Sequence, residues 1–544
     1  MGSQFLTRIG SRGLLEPMHA CLNVDEIVRL LACELVASGG KGSAVALACC
    51  CKNFEDPGLD ALWEAQDQLR PLLKSLPEDV WDDDGRVIVS GSTTFHSFSL
   101  NHLIGQTFKR IPTKAGWARF QKYARRIRTL KLNLLSFPLL PDVLSVLQHR
   151  TLNTPLLPGL KVFVCRETTV AFVPFISLFL SQRITTIDIG FAGLFPNPHI
   201  LTVASIIDTF PTICPNLQQI SLNALPRDPV VTTAVSEILL ACNRNTLQRF
   251  DVDSPLTEAA REVLYRLPNL SELRSVLEGP TLLPSVSLPN LVKMYIVHPH
   301  GHEWLQRSYG AALNKLTSVT FCATSPQVGN FLEAFEGFAL ATSIPTTLSI
   351  FKVFSRHPWN PNYSSLLAFK QLRELRIGNP CHFSCSSTID DDIVINLARA
   401  MPKLEILRLG STPCGTPTGV TVKGLIELAR CIDLYTLRVH IRVDSLVQAA
   451  VGEVAASPSD GGPAAPREEC ALMSLDVGNT FIPEESTLTV ALALLRIFPR
   501  ISEIGYTNPE WGRVEDTIKL SQRLSNRIDA LACSPSKASH DMSK

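Results

Sequence analysis

Three consecutive thiols, Cys49, Cys50 and Cys51, open the question of metal, redox or nucleophilic chemistry. Neighbouring positions on a helix point about 100° apart, so the triplet alone cannot hold one tetrahedral metal. Free cysteine also packs as a compact hydrophobe, and Cys50 and Cys51 are expected in a helix core. HPHGHEW (298–304) offers His298, His300 and His302, but Gln306 stands where a zincin helix needs its second histidine. It follows an apolar strand-like run and reads as a polar loop. CHFSC (381–385) has no second pair at finger spacing. GGKGS (39–43) lacks the spacing of a phosphate loop, and neither a nucleophile elbow nor a dinucleotide fingerprint is present. Asp82-Asp83-Asp84 and Asp390-Asp391-Asp392 read as linker and helix-start charge. The expectation is a protein without catalytic residues, metal or cofactor.

A basic run is more informative. Residues 109–131 carry Lys109, Arg110, Lys114, Arg119, Lys122, Arg125, Arg126, Arg128 and Lys131 and no acid. Trp117, Phe120, Ala124 and Ile127 form a helical stripe through it, so an amphipathic helix packed on the first repeat is expected. The alternative is a local site for phosphate or acidic segments.

These residues sit in a chain of 544, 45% hydrophobic and 19% charged, with net charge +1. That composition allows a large core, in several domains or one elongated repeat domain. Near-neutral charge argues against wholesale binding to nucleic acid or a membrane surface. Fifteen irregularly spaced cysteines do not read as a disulfide framework, which points to free thiols in a reducing compartment. The start lacks the apolar run of a signal peptide, Leu6 breaks a myristoylation motif, and VAFVPFISLFL (170–180) is too short to span a bilayer. A soluble cytoplasmic and/or nuclear protein is expected.

One pattern organises the chain: apolar, two residues, apolar, one residue, apolar. It begins at Ile127, Leu160, Ile184, Leu217, Leu247, Leu270, Leu291, Leu316, Leu348, Leu372, Leu404, Leu434, Leu472 and Ile501. The mean spacing is about 29 residues, in the range of leucine-rich repeats. The last two apolar positions alternate as a half-buried strand requires. Helical stretches follow, such as DDDIVINLARAMP (390–402), TVKGLIELARCI (421–432) and STLTVALALLRIFP (486–499). Several units are entered through a Pro-Asn-Leu triplet, as in RLPNLSE and SLPNLVK. One unit cannot bury its apolar face alone, so the units must stack.

Residues 22–66 read as three helices. Asn23 and Glu26 suggest a capping box, and Ile27, Leu30, Leu31 and Leu35 share one face. After the turn SGGKGS, Leu47, Cys50, Cys51 and Phe54 are spaced as one stripe of a second helix. Asp56 then caps a third helix with Pro57 at its first position, and Leu59, Leu62 and Trp63 give its apolar face.

The leucine-rich opening, followed by ALACCCKNFEDPGLDALW, resembles the F-box, with Asn23 in place of the usual proline and Phe54 at the tryptophan position. LRPLLKSLPEDVW (69–81) and GWARFQKYARRIRTL (116–130) look like their counterparts in fungal, basidiomycete-type F-box proteins. The fold class expected is α/β: a three-helix F-box-like bundle followed by an irregular horseshoe of leucine-rich repeats. The expected layout is a flexible start (1–19), the F-box-like domain (20–68), a linker with an insertion (69–115), the solenoid with a closing helix (116–532) and a disordered tail (533–544). ASPSDGGPAAPREE (456–469) is expected as a loop within the solenoid.

The resemblance implies the substrate-recognition subunit of an SCF-type cullin-RING ubiquitin ligase, itself non-catalytic. Its partners would be a Skp-type adaptor, through it the cullin and RING subunits, and an unnamed protein substrate. Leu22, Ile27, Leu31, Leu47, Cys51, Phe54 and Trp63 are the residues it places at the adaptor, divided between contact and core. Variable strand positions, Lys131, Gln219, Lys293, Arg376, Arg408 and Arg438, would meet the substrate. Several of them are basic, which suggests an acidic or phosphorylated one. The alternative is a leucine-rich interaction scaffold outside ubiquitin ligation.

Overall fold

The computed structural model describes residues 24–80, 108–134, 141–151, 154–169, 171–191, 199–276, 288–298, 313, 315–323, 331–340, 344–355, 362–378, 389–410, 419–451 and 470–532. Leu22, Asn23, Asp82–Asp84, CHFSC, the loop 456–469, both chain ends and HPHGHEW beyond His298 lie outside these residues. The chain forms two compact units, Met1–Asn243 and Arg244–Lys544.

Unit 1 begins with three helices, α1 (Asp25–Ala37), α2 (Lys41–Cys50) and α3 (Lys52–Glu64). Five parallel strands then pair in sequence order: β1 (Ala65–Gln66), β2 (Thr129–Leu132), β3 (Val162–Cys165), β4 (Thr186–Gly190) and β5 (Gln219–Asn223). Unit 2 continues the same scheme with ten parallel strands. They are β6 (Arg249–Pro255), β7 (Glu272–Val276), β8 (Lys293–His298), β9 (Ser318–Ala323), β10 (Ile350–Ser355), β11 (Glu374–Gly378), β12 (Ile406–Leu409), β13 (Thr436–Arg438), β14 (Ser474–Gly478) and β15 (Glu503–Tyr506). Each unit is thus a solenoid-like α/β stack.

Each of the fourteen pattern starts leads directly into one of β2 to β15, and all fourteen starting residues are buried. The middle apolar residues stack strand upon strand, as in Phe351, Leu375, Leu407, Leu437, Leu475 and Ile504. Residues between them face the other side of the sheet. The Pro-Asn-Leu entry has a structural use: Asn216, Asn269 and Asn290 each donate their side-chain amide to a backbone carbonyl of the preceding repeat, at 2.8–3.0 Å. The buried stacks supply the attraction, and these amides fix the register of neighbouring units.

Helices back the strands as expected from their sequence. Asp390 caps the helix Asp391–Ala400 by accepting from Ile393 N, and Val394, Leu397 and Met401 are buried. The Asp391 carboxylate reaches the next helix, Val422–Leu428, accepting from Thr421 N (2.8 Å), Thr421 Oγ1 (2.6 Å) and Gly424 N (3.2 Å). The acidic triplet is therefore helix-start charge with a cross-repeat bond. The final helix, Glu510–Ala532, closes unit 2, with Trp511 buried and donating Nε1–H to Thr480 O at 2.8 Å.

The second and third N-terminal helices depart from expectation. Leu47, Cys50, Cys51 and Phe54 do not share a stripe, because Cys51 is extended and separates α2 from α3. Phe54 lies on α3, and Pro57 sits inside that helix instead of at its start. Cys49, Cys50 and Cys51 are exposed, not core. The reason is helical phase. Ala44 and Ala48 face the core, and a Cβ on Gly58 of α3 would come within 2.6 Å of Ala48 Cβ. That close approach of small residues fixes the face of α2, and Cys50 lies about 200° around from Ala48. Phe54 and Ala61 complete the core of the pair.

The basic run behaves as an amphipathic helix. Thr113 caps Lys114–Ala124, and Phe120, Ala124 and Ile127 are buried. Tyr123 stacks on Trp63 of α3, with ring centroids 4.7 Å apart. Several of the cations are spent on acids within the chain: Arg126 on Asp56 and Asp60, Lys122 on Glu55, and Arg110 on Asp79.

Candidate functional site

Strand register in unit 2 gathers side chains that are far apart in sequence. Lys352 of β10, Arg376 of β11, Arg408 of β12 and Arg438 of β13 are consecutive partners on the face opposite the core, and Asp476 of β14 follows them. Neighbouring strands lie about 4.8 Å apart, so the four cations form one close row. Each is half-buried.

Two acids serve three of the four. Glu374, itself buried, lies 3.0 Å from Lys352 Nζ and also pairs with Arg376. Asp476 pairs with Arg438 at 3.2 Å. Among the described residues Arg408 has neither an ion pair nor a hydrogen bond, and its Nε is buried without a partner. Burial, with Arg376 and Arg438 on either side, pushes the Arg408 guanidinium below its ordinary pKa, and Asp476 and Glu374 offset this in part. Four cations against two acids leave the row with an excess of positive charge.

Glycines stand at the C-terminal ends of β12 and β14. Gly410 and Gly478 adopt left-handed backbone (φ +85° and +58°), where a side chain would be strained. Buried His440 packs against both, its ring carbons 3.6 and 3.0 Å from the positions that a Cβ would take. The His440 imidazole thus takes the space that side chains at these two positions would need.

The structure brings Arg376, Arg408 and Arg438 together. Lys293 lies on a different row, opposite Glu272 and Ser318, and is spent on Glu272 at 2.7 Å. Lys131 and Gln219 belong to unit 1 and to separate rows there: Lys131 stands beside Val164, and Gln219 beside Thr186. Lys352, Glu374 and Asp476 were missed by the sequence reading. Lys352 was recoverable, since it holds the same place between apolar residues as Arg376 does in its own unit.

Of the proposed adaptor residues, Leu31 and Cys51 are exposed, Ile27, Leu47 and Trp63 are half-buried, and Phe54 is buried. Val24 (42%), just before α1, Leu30 (69%) and Leu31 (46%) of α1 and Val45 (49%) of α2 are also left in solvent.

The buried thiols are chemically quiet. Burial pushes Cys165, Cys242 and Cys431 up to about 11 and Cys214 up to about 12, so they stay protonated near neutrality. Among the described residues, no group of three or more His, Cys, Asp or Glu is placed to hold a metal ion. No described helix is long and apolar enough to cross a membrane.

No family model matches the chain, and no curated protein matches it. Among solved structures it is similar to a Bacteroides fragilis protein, at 11% identity and a TM-score of 0.26, over 54% of this chain and 69% of that one. A likeness of that size carries no argument about fold or activity.

Proposed function

We propose that this protein is a non-catalytic substrate receptor of a cullin-RING ubiquitin ligase. α1–α3 dock on a Skp-type adaptor, and the exposed strand face of the repeats holds a protein substrate. The receptor contributes proximity, keeping a substrate lysine near the charged conjugating enzyme.

The observation that carries this reading is the apolar surface of α1 and α2. Val24, Leu30, Leu31 and Val45 are exposed on a layer only three helices deep, whose own core is filled by small residues and Phe54. Large apolar side chains concentrated on so small a layer suit a protein partner. The F-box resemblance of the same segment names the partner's class. The ten described cysteines are all free, which suits a reducing compartment.

Co-expression of the full chain with a Skp-type adaptor tests the reading. The wild type is expected to co-purify with it. The double variant Leu31→Asp/Val45→Asp is expected to lose the adaptor and keep its fold, since both positions are exposed. Absence of a wild-type complex would leave a leucine-rich interaction scaffold as the better reading.

A further inference from the structure

We infer that Arg408 is the centre of a carboxylate-binding site on the strand face of unit 2, and that the substrate engages it with an Asp or Glu side chain of an extended acidic segment. This rests on the receptor reading for its biological setting, although the site itself is argued from geometry alone.

Arg408 is set apart from its neighbours by what it lacks. Lys352 and Arg376 share Glu374, and Arg438 has Asp476. Arg408 stands between Arg376 and Arg438 in strict register, half-buried, with no acid of its own among the described residues. Taking a cation partly out of water without a counter-charge costs stability. Two adjacent arginines add to that cost by repulsion. An arrangement unfavourable in the isolated chain is one that an incoming anion relieves.

The pairing of the neighbours selects the anion. One free guanidinium presents one planar fork, which a single carboxylate accepts in bidentate fashion. A phosphate dianion would accept the same fork but leave its second charge unmatched, because recruiting Arg376 or Arg438 would break its existing ion pair. The glycine backbone at Gly410, directly after β12, leaves the approach to Arg408 free of side-chain bulk from its own strand.

The test uses the full chain and three labelled twelve-residue peptides: alternating Glu-Ser, alternating Gln-Ser, and Gln alternating with phosphoserine. Binding is read by fluorescence anisotropy at low and at physiological salt. The Glu-Ser peptide is expected to bind saturably and the Gln-Ser peptide not to bind. Arg408→Gln is expected to weaken the Glu-Ser complex about 10- to 100-fold. Its melting temperature without peptide should equal or exceed that of the wild type, because no native bond is lost. Arg408→Lys should bind with intermediate strength, since it keeps charge without the fork.

Equal affinity in Arg408→Gln, or a clear loss of its melting temperature, would overturn the inference. So would a phosphoserine peptide binding tenfold tighter than the Glu-Ser peptide. Adaptor capture separates this claim from the receptor reading. Arg408→Gln should capture adaptor as the wild type does, and Leu31→Asp/Val45→Asp should bind the Glu-Ser peptide unchanged.

Discussion

Removing the carboxylate of Asp391 probes how one repeat is fastened to the next. Its two oxygens accept three hydrogen bonds from Thr421 and Gly424, at 2.6–3.2 Å, in a part-buried setting. Bonds to a charged acceptor contribute about 1.5–3 kcal/mol each. The three share one carboxylate and some solvent access, so Asp391→Ala should cost about 3 kcal/mol in total rather than their sum. Unit 2 spans Arg244–Lys544, roughly 300 residues, for which the unfolding entropy makes this a fall of about 5 °C in melting temperature. Calorimetry of the full chain reads the shift. Loss of coupling between repeats should also broaden the transition. A second variant closes the cycle. A Cβ on Gly424 would come within 2.6 Å of Asp391 Oδ1, so Gly424→Ala should destabilise by itself and cost much less in the Asp391→Ala background. A shift below 1 °C for Asp391→Ala, or strict additivity of the two variants, would refute the bond as an inter-repeat fastening.

Two further outcomes follow from the packing. Gly58→Val should destabilise α1–α3 by about 1–3 kcal/mol through overpacking against Ala48, read as earlier loss of helical circular dichroism than in the wild type. The buried thiols predict an alkaline limit. Their folded pKa values, about 11 to 12, lie above the unfolded value near 9, so the unfolded chain loses these protons first as pH rises. Their stabilisation is complete below about pH 9 and is lost between about pH 9 and 12. Denaturant midpoints measured across that window should fall. Replacing Cys165, Cys214, Cys242 and Cys431 with alanine should lower stability at neutral pH and flatten the decline.

The strand skeleton was legible because burial on a stacked sheet imposes a strict local pattern. A residue such as Leu407 must alternate with Arg408, and a buried Leu404 must precede them, whatever the loops around them do. β1 was not legible, since Ala65 and Gln66 carry no apolar alternation and become a strand only by pairing with Thr129 and Leu130. The cysteine triplet was misplaced for a related reason. Leu47, Cys50, Cys51 and Phe54 have helical spacing, but the contact of Ala48 with Gly58 set the phase of α2, and alanine and glycine leave little mark in a hydrophobicity pattern. At the basic row, the positions of Arg376, Arg408 and Arg438 were readable from their place between apolar residues. Which of them would go unpaired was not. That depended on Glu374 and Asp476 falling on the neighbouring strands β11 and β14 and being used there. Lys293 holds a different place in its unit, the one that Glu374 holds in LRELRI, and Glu272 neutralises it.

The receptor reading stands or falls on where an adaptor lands. Hydrogen exchange of the full chain, with and without a Skp-type adaptor, reads this directly. The expected result is new protection of backbone amides within Asp25–Cys50, the helices that expose Leu30, Leu31 and Val45, with the strands of unit 2 unchanged. No complex, or protection confined to the strand face of unit 2, would contradict it.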